Sequence, residues 1–112
     1  MDEGISRKPI EVSNVFKAHL TDVLYYTSYA FGNLQTQHYL QKIKYTIDTL
    51  PESYHVYPEC RHIPTKSRMY RNIILDAHLI IYRITDERIE VLDIIHAASS
   101  ISKIRGVRNV RL

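Results

Sequence analysis

The chain has 112 residues, 45% of them hydrophobic and 24% charged, which gives room for one core and is too apolar for wholesale disorder. Its single cysteine excludes an internal disulfide framework and a multi-cysteine zinc site, and three glycines without a Gly-rich loop argue against a phosphate cradle. The formal charge of +3 is divided unevenly, with residues 1–52 summing to −1 and residues 53–112 to +4.

The N-terminus, MDEGISRKP, is charged and carries no apolar stretch, so it does not read as a secretory signal. Even the longest apolar runs, such as Leu79 to Tyr82, fall far short of the ~20 residues of a membrane span, so no membrane partner is expected. Ile10 and Val12 alternate with Glu11 and Ser13, which predicts a short first strand. Ser13 or Asn14 then caps a helix whose inner face is Phe16, Leu20, Val23, Leu24 and Thr27. Gly32-Asn33 interrupts that helix, and Asn33 offers a second N-cap. Thr36, Leu40, Ile43, Ile47 and Leu50 form the next stripe, which Pro51 is expected to end. Two helices joined by so short a link must return antiparallel.

Residues 51–67, punctuated by Pro51, Pro58 and Pro64, read as an irregular connection holding a turn or edge strand. The period then changes from 3.6 to 2. Met69–Leu75, His78–Ile84 and Arg88–Ile95 are β-branched or aromatic runs with links short enough for hairpin turns. The middle run is apolar on both faces and is expected to be the central, most buried strand. Asp93 breaks the stripe of the third run, where a bulge would re-aim it. Ala98–Val107 predicts a short helix ending near Gly106, followed by a loose basic tail within 103–112. The whole is an α+β domain over residues 1–112, with its core at about 8–100: an N-terminal strand and an antiparallel helical hairpin packed on a small twisted antiparallel sheet, then a short C-terminal helix or tail.

The six histidines, His19, His38, His55, His62, His78 and His96, show no metal-ligand spacing beyond the loose Cys60-Arg61-His62 pair, and an arginine there repels a cation. No metal or other cofactor is expected. A Cys60–His62 nucleophile pair would lack an orienting third group. His96 ends the last predicted strand, a position for a general acid or base. Arg68, Arg71 and Arg83, beside it on neighbouring strands, suit a phosphodiester, with Tyr70 and Tyr82 to stack or donate a proton. These are the parts of a metal-free ribonuclease. Together with Arg61 they are equally the parts of a protein-binding face, where Arg and Tyr are favoured anchors. The nine tyrosines concentrate on the hairpin and its exit.

The ordered motifs are a short strand, a Ser-capped helix, a helix ended by a proline, Tyr70-Arg71, the run His78 to Ile84 containing Tyr82-Arg83, and the run Ile89 to His96. In that order they resemble the RelE/ParE superfamily of bacterial type II toxin–antitoxin toxins, over about residues 8–100, and the ParE branch more than the RelE branch. The resemblance implies a cytoplasmic bacterial toxin of plasmid-stabilisation type that inhibits growth by binding DNA gyrase. A small cognate antitoxin with an acidic or amphipathic tail would neutralise it across the basic half, in a homodimer or a heterotetramer with the antitoxin. Arg61, Arg68, Tyr70, Arg71, Arg83 and His96 are then the expected contact residues for target or antitoxin. RelE-like cleavage of messenger RNA on the ribosome is the alternative, with His96, Arg68, Arg71 and Tyr82 as its catalytic set. The positions of that branch's basic groups read Tyr70, Asn72, Leu79 and Ser99 here, and none is basic, which counts against it. A degenerate toxin that keeps only antitoxin binding is the third reading.

Overall fold

The computed structural model describes residues 6–112; the reading of the first residues as no signal rests largely on residues 1–5, outside the described residues. The elements are β1 (Ile10–Val12), α1 (Asn14–Phe31), α2 (Asn33–Ser53), β2 (Tyr70–Leu75), β3 (His78–Ile84), β4 (Ile89–His96) and α3 (Ile101–Gly106), with a 3₁₀ turn over Val107–Asn109. They fulfil the α+β expectation.

Ser13 starts α1 as expected, because its short hydroxyl reaches an orphan first-turn amide: Oγ accepts from the Phe16 N–H at 2.9 Å. The same hydroxyl donates to the Leu92 carbonyl at 2.6 Å, and the Ser13 N–H bonds the Val91 carbonyl at 3.0 Å. One buried residue thus caps the helix and ties it to β4. Ser13→Ala removes the cap and orphans a buried carbonyl; a loss of about 2 kcal/mol, or about 10 °C in thermal midpoint, is expected by calorimetry.

Gly32 alone joins the helices. Its φ of 88° is a left-handed value that favours glycine, its N–H closes α1 on Ser28, and its carbonyl receives Thr36. It therefore takes the cap position expected of Asn33, whose side chain makes no cap bond. Pro51 does not stop α2, which runs two residues further; the proline sits in the last turn. The buried stripe is also turned by about one residue, to Tyr39, Ile43, Thr46 and Leu50, leaving Leu40 exposed. Tyr39 faces inward because its hydroxyl has a partner there, the Leu75 carbonyl at 2.9 Å.

The sheet order is β1-β4-β3-β2. The strands β2, β3 and β4 are antiparallel, but β1 pairs parallel with β4, so the sheet is mixed rather than wholly antiparallel. The helical hairpin carries the chain away from β1, and the meander returns β4 beside it. Flanked by β1 and β3, β4 and not β3 is the most buried strand. Ile81 pairs with Asp93 and Tyr82 with Val91, so Leu92 is the extra residue of the expected bulge. The bulge resets the alternation: Val91 and Ile94, three apart, both join the core under the helices.

That core includes Phe16, Ile43, Leu50, Ile80, Tyr82 and Ile89. A second cluster, with no residue of α1 or α2, lies on the other face of the sheet: Cys60, Ile63, Tyr70, Ile81, Leu92 and Ile95, closed by Ile104 and Val107, with Val110 packed against it. The tail expected to be loose is therefore docked. Ile104, Val107 and Val110 recur every three residues, giving it an apolar side to bury. The connection after α2 covers part of the β2 edge, where the Cys60 N–H meets the Tyr70 carbonyl at 2.8 Å and Glu59 bridges to Arg71. Among the described residues no helix is long and apolar enough to cross a membrane.

Candidate functional site

The structure sets Tyr70 opposite Arg83 and Arg71 opposite Tyr82 on β2 and β3, places His96 at the other end of β3 from Arg83, and commits several of these residues internally. Tyr82 is fully buried, and its hydroxyl donates to the Tyr54 carbonyl at 2.6 Å; burial pushes its pKa further up. Arg71 spends its guanidinium on backbone carbonyls, with NH1 2.8 Å from Tyr57 and 3.1 Å from His55, and Nε 2.8 Å from Arg68. Arg83 is paired with Glu90 at 2.6 Å and lies over the Tyr70 ring. Arg61 and Arg68 are exposed, Arg68 at a left-handed φ of 56°. His96 stands opposite His78, and Arg83 follows five residues along β3, about 17 Å away at ~3.3 Å per residue. No single point in the fold gathers His96 with the arginines of the nuclease set. Cys60 is buried, which pushes its thiol pKa up, opposite to what activates a nucleophile.

What does converge is a set of histidines. At the end of the sheet beside α1, a groove of about 430 Å³ is lined by His19, Asp22, Tyr26, His78, His96 and Lys103 among others. A second, of about 380 Å³, shares Tyr26, His78 and His96 and continues past Phe31 to Tyr39 and Asp76. His78 and His96 meet edge-on with ring centres 5.7 Å apart. Because the Tyr39 hydroxyl donates to Leu75, it accepts from His78 Nδ1 at 2.8 Å, which leaves a bare Nε2 on the neutral ring. His96 Nδ1 accepts the Ala98 N–H at 3.0 Å, so its neutral ring carries the proton on Nε2. The pair thus offers one acceptor and one donor. Burial, then the neighbouring His96, lower the His78 pKa and favour its neutral form. Burial and Asp76 push Tyr39 up to about 12, which keeps its proton in place.

His19 Nδ1 lies 2.6 Å from Asp93 Oδ1, an oxygen that also receives the Ile94 N–H at 2.8 Å. Asp93 is thus the polar partner of the bulge. Neither His19 nor His78 was singled out by spacing; the readable signal was an acid inside an apolar strand, which demands a buried partner.

Around the hairpin turn the surface is aromatic. Tyr25 is 77% exposed and Tyr29 85%, with Tyr26, Phe31 and Leu34 also open. Tyr26 and Phe31 line the groove that leads to the histidine pair. Aromatic and apolar exposure of this density is unusual for a surface with no partner.

The family described as ParE toxin of type II toxin–antitoxin system, parDE, matches residues 10–101. Among solved structures, a chain of the chromosomal ParDE TA system from P. aeruginosa is similar with a TM-score of 0.65 at 14% identity, over 80% of this chain and 96% of that one. No curated protein matches.

Proposed function

The chain belongs to the ParE toxin family of type II toxin–antitoxin systems, and from that premise we propose that it arrests bacterial growth by binding DNA gyrase and is neutralised by a cognate antitoxin. One observation carries a binding rather than a hydrolytic action. His96 lies apart from the arginines and tyrosines of the nuclease set, and Arg71, Tyr82 and Arg83 are internally bonded, whereas Tyr25, Tyr26, Tyr29, Phe31 and Leu34 stand open around one turn. Such side chains give large contact area at low entropic cost and dominate protein interfaces. The histidine groove beside them supplies the polar groups that fix orientation.

Induction in a bacterium is expected to stop growth with DNA replication failing before translation, and the purified chain is expected to inhibit gyrase supercoiling. Tyr25→Ser with Tyr29→Ser should weaken that inhibition by about tenfold or more at unchanged thermal midpoint. Growth arrest without supercoiling inhibition or a trapped cleavage complex would sink the gyrase reading. Codon-linked cuts in a translating extract that vanish in His96→Ala would install the ribonuclease instead. A stable antitoxin complex without any growth defect would mark a degenerate toxin.

A further inference from the structure

The exposed aromatic side chains all lie between Tyr25 and Tyr45, on the helical hairpin. The cations gather elsewhere. Residues 58–68 carry Arg61, Lys66 and Arg68, and residues 101–112 carry Lys103, Arg105, Arg108 and Arg111, against the single acid Glu59. These segments sum to +6 in a chain of net +3, so all other residues together sum to −3.

Packing makes the two segments one surface. Cys60 and Ile63 from the first share a buried cluster with Ile104 and Val107 from the second, on the sheet face that α1 and α2 leave free. All seven cations are exposed. Among the described residues only Arg68 has an acidic partner, Glu59 at 3.7 Å. The docked segment is amphipathic, with its apolar side sealing the sheet and its outer side cationic. Because the family match ends at residue 101, that outer side comes almost wholly from residues beyond the shared region.

We propose that this face binds the phosphate backbone of duplex DNA without reading its sequence. Five of the seven cations are arginines, whose planar forks match phosphate oxygens. Single-stranded nucleic acid is held by stacking on exposed aromatics, and this face has none. An acidic protein segment, such as the antitoxin tail the sequence suggests, needs apolar anchors beside its charges. Here only the half-exposed Ile101 and Leu112 offer any, while the open aromatics belong to the hairpin. Dense unpaired cations without anchors are the signature of counterion-release binding. The proposal goes beyond gyrase and antitoxin binding and depends on neither.

The test is a fluorescence-anisotropy titration of the purified chain against a short labelled DNA duplex between about 50 and 200 mM salt. Binding is expected in the micromolar range, with a log–log salt slope of about −4 from four or five phosphate contacts. The variant Arg105→Glu/Arg108→Glu/Arg111→Glu should bind about 100-fold more weakly with an unchanged thermal midpoint. Lys17→Glu/Lys44→Glu, a charge change on the hairpin, should cost no more than about threefold. Absence of binding at the lowest salt, or equal losses in both variants, would overturn the proposal. Tighter binding of a Glu-rich peptide would reassign the face to an acidic protein, and tighter binding of a single-stranded oligonucleotide would remove the duplex. The toxin is assayed alone, so either result leaves the gyrase reading to its own experiment.

Discussion

Replacing Glu90 with alanine is expected to lower the stability of the fold by about 3 kcal/mol, read as a fall of about 15 °C in thermal midpoint. Glu90 joins two guanidiniums: Oε1 takes Arg83 Nε at 2.7 Å and NH2 at 2.6 Å, and Oε2 takes Arg88 at 2.8 Å. The Arg83 side chain is only 13% exposed. Its remaining contacts, the Tyr70 hydroxyl at 3.3 Å and the Arg108 carbonyl at 3.5 Å, carry no charge to offset it. Burial works to raise the Glu90 pKa, but the hydrogen bonds and charges of Arg83 and Arg88 outweigh it and hold the value below the usual 4.5. A depressed carboxylate stabilises the fold above its unfolded pKa, and that contribution is lost as pH falls through the folded value. The gap between wild type and Glu90→Ala should therefore be full near neutrality and narrow on acidification below about pH 4.5. Arg83→Met combined with Glu90→Leu should recover most of the loss, because it removes the buried pair together and leaves only the more exposed Arg88 without its carboxylate. Losses that simply add would show that the pair is not coupled.

The same cluster shows what local sequence carries and what it does not. The three antiparallel strands were legible because period-2 runs with two- and three-residue links leave few alternatives. The start of α1 was legible because Ser13 has the chemistry of a cap. The parallel seat of β1 was not, since three residues carry no mark of their partner. That seat in turn decides that β4 and not β3 is enclosed on both sides. Arg71 and Arg83 look available on paper because nothing local says that the carbonyls of His55 and Tyr57, or the carboxylate of Glu90, will reach them. The Asp93 bulge could be anticipated, but its partner His19 lies 74 residues away in sequence and only the packing of α1 on β4 brings it there. The stripe read from the sequence turns Leu40 inward, because nothing local says that the Leu75 carbonyl will give the Tyr39 phenol a buried partner.

Ending the chain after Ser100 is expected to do more damage than any of these point substitutions. The family match stops at residue 101, so a self-sufficient shared fold would tolerate the cut. The packing argues otherwise. Ile104 is 5% exposed and Val107 3%, and Val110 packs against the same cluster. Burying a side chain of this kind is worth about 1.5–3 kcal/mol, so the segment supplies about 5 kcal/mol of apolar burial. Its removal also opens Ile63, Ile81, Leu92 and Ile95 to water. A domain of this size has about 5–15 kcal/mol in total. The truncated chain should therefore lose its cooperative thermal transition or aggregate, as read by calorimetry and light scattering. Ile104→Ser in the full chain should fall between the two, while Arg105→Glu/Arg108→Glu/Arg111→Glu should stay within about 3 °C of wild type. A truncated chain that melts like the full one would show that the segment rests on the sheet without supporting it. If instead the truncation unfolds the protein and the charge reversals leave it stable, the two sides of one short segment have separate duties. Ile104 and the two valines hold the sheet face closed, and the arginines are then free to meet a ligand.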